Sequence, residues 1–96
     1  MPRGFAASKK DSSQPAIEAA FRQAGWAVED VHVVGGGFDL FVSKRKITIA
    51  VECKTGKKKL TPAQMEKQMS WQGEYLWGSD PLTLVQMAEI KLARWG

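Results

Sequence analysis

Gly35-Gly36-Gly37-Phe38-Asp39-Leu40 and, beyond a polar tip, Val51-Glu52-Cys53-Lys54 decide how this chain is read. Phe38 to Val42 has the composition of a strand, Ser43-Lys44-Arg45-Lys46 of a turn, and Ile47 to Lys54 of a second strand. Together they predict a β-hairpin. Each strand carries one carboxylate in an otherwise apolar run, which is costly unless the charge is compensated. In an antiparallel pair with a short turn, the start of one strand lies beside the end of the next. Asp39 is therefore expected close to Glu52 or Lys54.

Alternation puts Glu52 and Lys54 on one face and turns Cys53 to the other. Their Cα atoms should be about 6.5 Å apart. Two carboxylates held close repel each other and make a seat for a hard divalent cation such as Mg²⁺. A lysine beside them can hold an anionic oxygen or orient a water. The same residues also fit a plainer description. Asp39 would cap the glycine turn, and Glu52 and Lys54 would form an ion pair on a solvated face.

Gly37-Phe38-Asp39-Leu40 followed by Val51-Glu52-Cys53-Lys54 resembles the core of the PD-(D/E)XK nuclease superfamily. Within it, the chain is similar to the VRR-NUC (viral-type replication and repair nuclease) domain. That pattern has a Glu on the first helix, G-x-x-D-L, E-x-K, and a Leu-(Ser/Thr)-x-x-Gln helix start. Here the positions read Glu18, Asp39-Leu40, Glu52-x-Lys54 and Leu60-Thr61-Pro62-Ala63-Gln64. Phe38 departs from the Pro that many members carry. The resemblance spans about Ile17 to the C-terminus.

The resemblance implies a restriction-endonuclease-like fold, a mixed sheet of about four strands flanked by helices. It implies a metal-dependent endonuclease, a hydrolase cutting DNA phosphodiester bonds. Asp39 and Glu52 would hold Mg²⁺ or Mn²⁺, with the Cys53 backbone carbonyl and Glu18 as further ligands. Lys54 and Gln64 would act beside them. Stand-alone members are homodimers that cut branched DNA such as four-way (Holliday) junctions, which implies branched DNA and a second copy as partners. The viral association of the family carries the expectation of a phage-encoded protein acting in a host cell. The alternatives are a non-catalytic DNA-binding module on the same fold, or a nuclease for RNA or linear DNA.

Composition sets the frame. Ninety-six residues make one small domain that buries about 60–65% of its unfolded surface. A net charge of +4 is a mild bias toward an anionic partner. One Cys excludes an internal disulfide framework and a Cys-based zinc site. No apolar run is long enough to span a bilayer and no signal-peptide pattern appears, so a soluble, cytoplasmic protein without a membrane partner is expected.

Residues 1–13 read as a flexible basic arm, and 14–96 as the single domain. Pro15 suits a first helical turn, Ile17, Ala20, Phe21 and Ala24 form one apolar stripe, and Gly25 ends it. Glu18 lies at the stripe's edge, where it also suits a first-turn charge. Trp26 to Val34 reads as a strand. Lys44 and Arg45 at the hairpin tip, and Lys57, Lys58 and Lys59 after Gly56, are candidate nucleic-acid contacts. Thr61-Pro62-Ala63-Gln64 is a capping box, which accounts for Gln64 without a catalytic role. Met65 and Met69, with Gln68 or Gln72, read as the buried face of that helix. Glu74 to Trp77 reads as a last strand. Asp80 caps a final helix with Leu84, Val85, Ala88 and Leu92 inward, and Trp95 is a core plug or a dimer contact.

Overall fold

The protein's computed structural model describes residues 11–32 and 37–95. Arg3, Lys9 and Lys10 of the expected arm, Val33 and Val34 of the expected first strand, and Gly35-Gly36 lie outside the described residues. Helix α1 runs Gln14–Gln23 with Ser13 as N-cap and Pro15 in its first turn. Gly25 takes φ +89°, a left-handed value that suits a residue without Cβ. The Trp26 amide donates back to the Phe21 carbonyl, and the chain enters strand β1, Ala27–Asp30. The strand is shorter than the apolar spacing implies, although Val31 N–H still donates to Asp39 O at 2.9 Å.

Strands β2, Leu40–Lys44, and β3, Ile47–Cys53, form the hairpin. The turn is tighter than the predicted four residues. Ser43 and Lys44 stay in the ladder opposite Thr48 and Ile47. Only Arg45 and Lys46 turn the chain, at φ 50° and 72°. Two consecutive positive φ angles match the right-handed twist of a hairpin, so the twist prevails over the polar run.

Helix α2, Pro62–Ser70, connects β3 to the parallel strand β4, Glu74–Gly78, and α3 spans Pro81–Trp95. The sheet order is β1-β2-β3-β4. The result is mixed α/β, a four-stranded mixed sheet flanked by helices, as the fold class requires at that level.

Alternation divides the sheet into two faces. Leu40, Val42, Ile49, Val51, Cys53 and Leu76 point to one face and form the core with Ile17 and Phe21 of α1 and Leu84, Ala88 and Leu92 of α3. Each of these side chains is essentially removed from water, worth about 1.5–3 kcal/mol for the large ones. The other face carries Phe41, Ala50, Glu52 and Tyr75. Phe38 lies among aromatic rings there, 4.8 Å from Trp71 and 5.8 Å from Phe41 and Tyr75 between centroids.

Helix α2 departs from its expected packing. It buries no residue, and Met65 and Met69 are 48% and 85% exposed. The side chains it turns toward the sheet are Gln64 and Lys67, one turn apart. Trp95 is 64% exposed and so is no core plug. Its indole N–H donates to Glu74.

Candidate active site

The β2–β3 ladder pairs Leu40 with Val51 and Phe41 with Ala50. One step further sets Asp39 opposite Glu52, on the face away from α1 and α3. The Asp39 amide continues the ladder by donating to Val51 O at 3.2 Å. Its carboxylate reaches across the strand end, where Oδ2 accepts the Cys53 amide at 2.7 Å. Glu52 and Lys54 are 5% and 8% exposed. Lys54 directly follows β3, where alternation sets it on the same face as Glu52, and its ammonium opposes the charge of Glu52. The structure thus brings Asp39 and Glu52 together, with Lys54 beside them, at one end of the two central strands.

Gln64 satisfies both readings at once. Its Oε1 accepts the Thr61 amide at 2.9 Å, and Thr61 Oγ1 accepts the Gln64 amide at 3.2 Å, which completes the capping box. Its Nε2 meanwhile donates to Glu52 Oε2 at 2.8 Å. A helix cap and a contact to the acid are made by opposite ends of one amide.

Glu52 Oε1 is buried and meets no hydrogen-bond donor among the described residues. Burial and the neighbouring charge of Asp39 push the Glu52 carboxyl up to about 8, against the pull of Lys54 and Lys67. Burial pushes Asp39 up as well, while the Cys53 amide and Glu52 pull the other way. The pair holds a proton well into the neutral range because two adjacent charges in a partly dry site are unfavourable.

Two carboxylates with an orphaned oxygen fit a hard divalent cation that keeps waters and takes substrate oxygens. They do not form a full protein cage. Among the described residues, no three His, Cys, Asp or Glu side chains come together as a group able to hold a metal ion. Glu18 therefore does not join Asp39 and Glu52 as a common ligand. It is 7% exposed, accepts from Gln14 Nε2 at 3.0 Å and meets Arg22 at 3.4 Å. These two residues of its own helix are among the partners of the carboxylate.

Cys53 points into the core, 2% exposed. Burial, with the surrounding carboxylates, pushes its thiol far above the usual range, which removes it as a nucleophile. Lys57, Lys58 and Lys59 are exposed on the loop leaving β3 at the site. Lys44 corrects the expectation that it contacts nucleic acid. It lies on the opposite face, donating to Ala24 O at 2.8 Å and Glu89 Oε2 at 3.0 Å, 5.6 Å from the Trp26 ring centre. Keeping Lys44 in the ladder fixes its side by alternation. Arg45 is exposed at the tip, about 20 Å of strand from Asp39.

Three residues near the acids escape the sequence reading. Lys67 lies over the Phe38 ring at 5.2 Å and pulls the Glu52 carboxyl down. Its spacing from Gln64 would have placed it on the same helix face. Tyr75 is half-buried opposite Ala50, and burial followed by the charges of Glu52 and Asp39 pushes its hydroxyl up. Asp11 accepts from the Ser13 amide at 3.0 Å, the Ser13 hydroxyl at 2.7 Å and the Thr55 hydroxyl. It ties residues 11–13 of the expected arm to the loop after Lys54. An Asp two residues before a Ser is the local signal for such a turn. Compared with protein-family models, curated proteins and solved structures, the chain matches none, so the chemistry of the site rests on its own residues.

Proposed function

We propose that this chain is a metal-dependent nuclease of the PD-(D/E)XK type, with a VRR-NUC-like domain, hydrolysing DNA phosphodiester bonds. One observation carries the reading. Asp39 stands across the ladder from Glu52, whose buried Oε1 lacks a donor, and Lys54 shares their face. Hard oxygen donors of this kind fit Mg²⁺ or Mn²⁺ better than Zn²⁺.

Asp39 and Glu52 would hold the cation, with the Cys53 carbonyl as a further candidate ligand. A bound divalent cation supplies polarisation of a phosphoryl oxygen and a more acidic water. The protein's own groups do the rest. Gln64 fixes the Glu52 carboxylate through Oε2 and leaves Oε1 for the cation. Lys54 places positive charge where the phosphate gains negative charge in the transition state. Cys53 N–H orients Asp39. Lys57, Lys58 and Lys59 lie where a phosphate backbone approaching the acids would pass.

A homodimer acting on branched DNA follows from the resemblance, since a two-fold pair of sites matches the paired strands of a four-way junction. Sedimentation at micromolar concentration is expected to give a dimer, and a monomer there removes paired cutting. The second reading is a non-catalytic DNA-binding module. The absence of a third acidic ligand among the described residues favours it.

The deciding assay presents a labelled four-way junction and a linear duplex to the protein in Mg²⁺, Mn²⁺ and EDTA. The nuclease reading expects metal-dependent cleavage that Asp39→Ala and Lys54→Ala abolish while binding survives. Binding without cleavage in either metal sinks it in favour of the module.

A further inference from the structure

Lys67 is the one basic residue of α2, its ammonium lies at the segment leading into Asp39, and several features hold it there. Gly37 takes φ +87°, and a Cβ at that position would overlap Lys67 Nζ. The ammonium therefore packs directly on the glycine backbone, two residues before Asp39. The ammonium also lies over the Phe38 ring, 5.2 Å from its centroid, a favourable position for a cation against the ring's negative face. One turn earlier on the same helix, Gln64 is hydrogen-bonded to Glu52. The helix buries none of its residues, so apolar packing does not explain its position. Its inward contacts lead to the acids and to Phe38.

We infer that Lys67 is a built-in positive charge beside the Asp39–Glu52 pair, against whose repulsion a divalent metal ion must bind. The inference rests on the metal-dependent reading and deepens it by assigning a positioning residue that sets metal affinity. Lys54 is fixed to the strand beside Glu52. Lys67 sits on a helix outside the core, so its charge is placed by Gly37 and Phe38 instead of by the sheet. In the metal-free protein it offsets the repulsion between the carboxylates. With a divalent cation present, the same charge opposes the newcomer.

Titration calorimetry with Mn²⁺ alone tests this, in the absence of nucleic acid. Lys67→Met keeps the length of the stem and removes the charge. It is expected to bind Mn²⁺ about tenfold more tightly than the unsubstituted chain. Lys67→Arg should restore the original affinity. Thermal melting supplies the second readout. In EDTA, Lys67→Met should melt lower than the unsubstituted protein, and saturating Mn²⁺ should close the gap. A purely structural lysine would lower both melting temperatures alike. Unchanged or weaker Mn²⁺ binding by folded Lys67→Met, with the unsubstituted chain still binding, overturns the inference and spares the metal site. No Mn²⁺ binding by the unsubstituted chain overturns both.

Discussion

In the proposed nuclease Glu52 has two opposed tasks, to lie buried on a strand and to carry charge toward a phosphate. Its carboxyl, pushed up to about 8 by burial and then by Asp39, has a consequence for stability. A carboxyl whose folded value lies above its unfolded value of about 4.5 contributes most below that unfolded value. That contribution is lost as pH rises through about 8. The metal-free protein should therefore melt progressively lower between about pH 5 and pH 8, by roughly 2–4 kcal/mol after solvent screening is allowed for. Carboxylates with the opposite shift, such as Glu74 held down by Lys91 and Trp95, act in a more acid range. Glu52→Gln should flatten the slope and melt higher than the unsubstituted protein at pH 8, and Mg²⁺ should flatten it without a substitution. A melting temperature that rises from pH 5 to pH 8 in EDTA would exclude a raised Glu52. Gln64 is the residue through which this carboxyl is held. Gln64→Glu keeps an acceptor for the Thr61 amide but sets a third negative charge against Glu52. It should preserve helix content by circular dichroism while cleavage falls. Thr61→Ala should do the reverse, costing about 1 kcal/mol of stability with activity nearly kept.

At the level of elements, the hairpin and α2 differ in how openly the sequence announces them. Strand alternation ties face to position at every second residue. The residue order of Val51-Glu52-Cys53-Lys54 therefore suffices to sort an inward thiol from an outward acid and amine. The register then needs only a turn length. A four-residue turn over Ser43–Lys46 would set Val42 against Ile47 and Asp39 against Ala50. The two-residue turn shifts the register by two, which sets Asp39 opposite Glu52 and moves Lys44 into the ladder on the core-facing side. Helix α2 has a clear start, because a capping box is a local device. Its buried side is not local information. Met65 and Met69 look like core to a hydrophobicity pattern. The sheet face below them, however, presents two acids, and it pairs with the polar side of the helix. Packing against a partner decides the orientation, and the partner's polarity comes from a distant segment. Asp11 is hidden for the same reason, since Thr55 reaches it across the fold. The two helices make a direct comparison. Met69→Glu should change the unfolding free energy by no more than about 0.5 kcal/mol. Leu84→Ala, 1% exposed in the core, should cost about 2–5 kcal/mol. Urea denaturation measures both, and a Met69 cost near that of Leu84 would put the methionine face against something in solution.

Across the whole molecule, the positive charge is unevenly committed. The net charge is +4, yet the lysines and arginines do different jobs. Lys44 is held by Glu89, Lys91 by Glu74 and Arg22 by Glu18. The exposed run Lys57-Lys58-Lys59 leaves the sheet beside the acids. Binding that depends on phosphate contacts releases counter-ions, and its salt dependence counts the lysines involved. If the proposed DNA path crosses this loop, replacing all three by Gln should lower the slope of log Kd against log salt by about 2–3. Lys44→Gln should leave that slope unchanged and instead lower the melting temperature, because it removes the contacts to Ala24 O and Glu89. Arg45, exposed at the far end of the hairpin, should matter only to a substrate long enough to follow the strand away from the acids. Its effect should then appear on a four-way junction with full-length arms and vanish on one with arms of a few base pairs. Fluorescence anisotropy with a labelled junction between about 50 and 300 mM salt, where the Debye length shrinks from above to below about 10 Å, measures all of these. A Lys44 variant that changes the slope, with the Lys57–Lys59 variant leaving it alone, would move the nucleic acid to the opposite face of the sheet and away from Asp39 and Glu52.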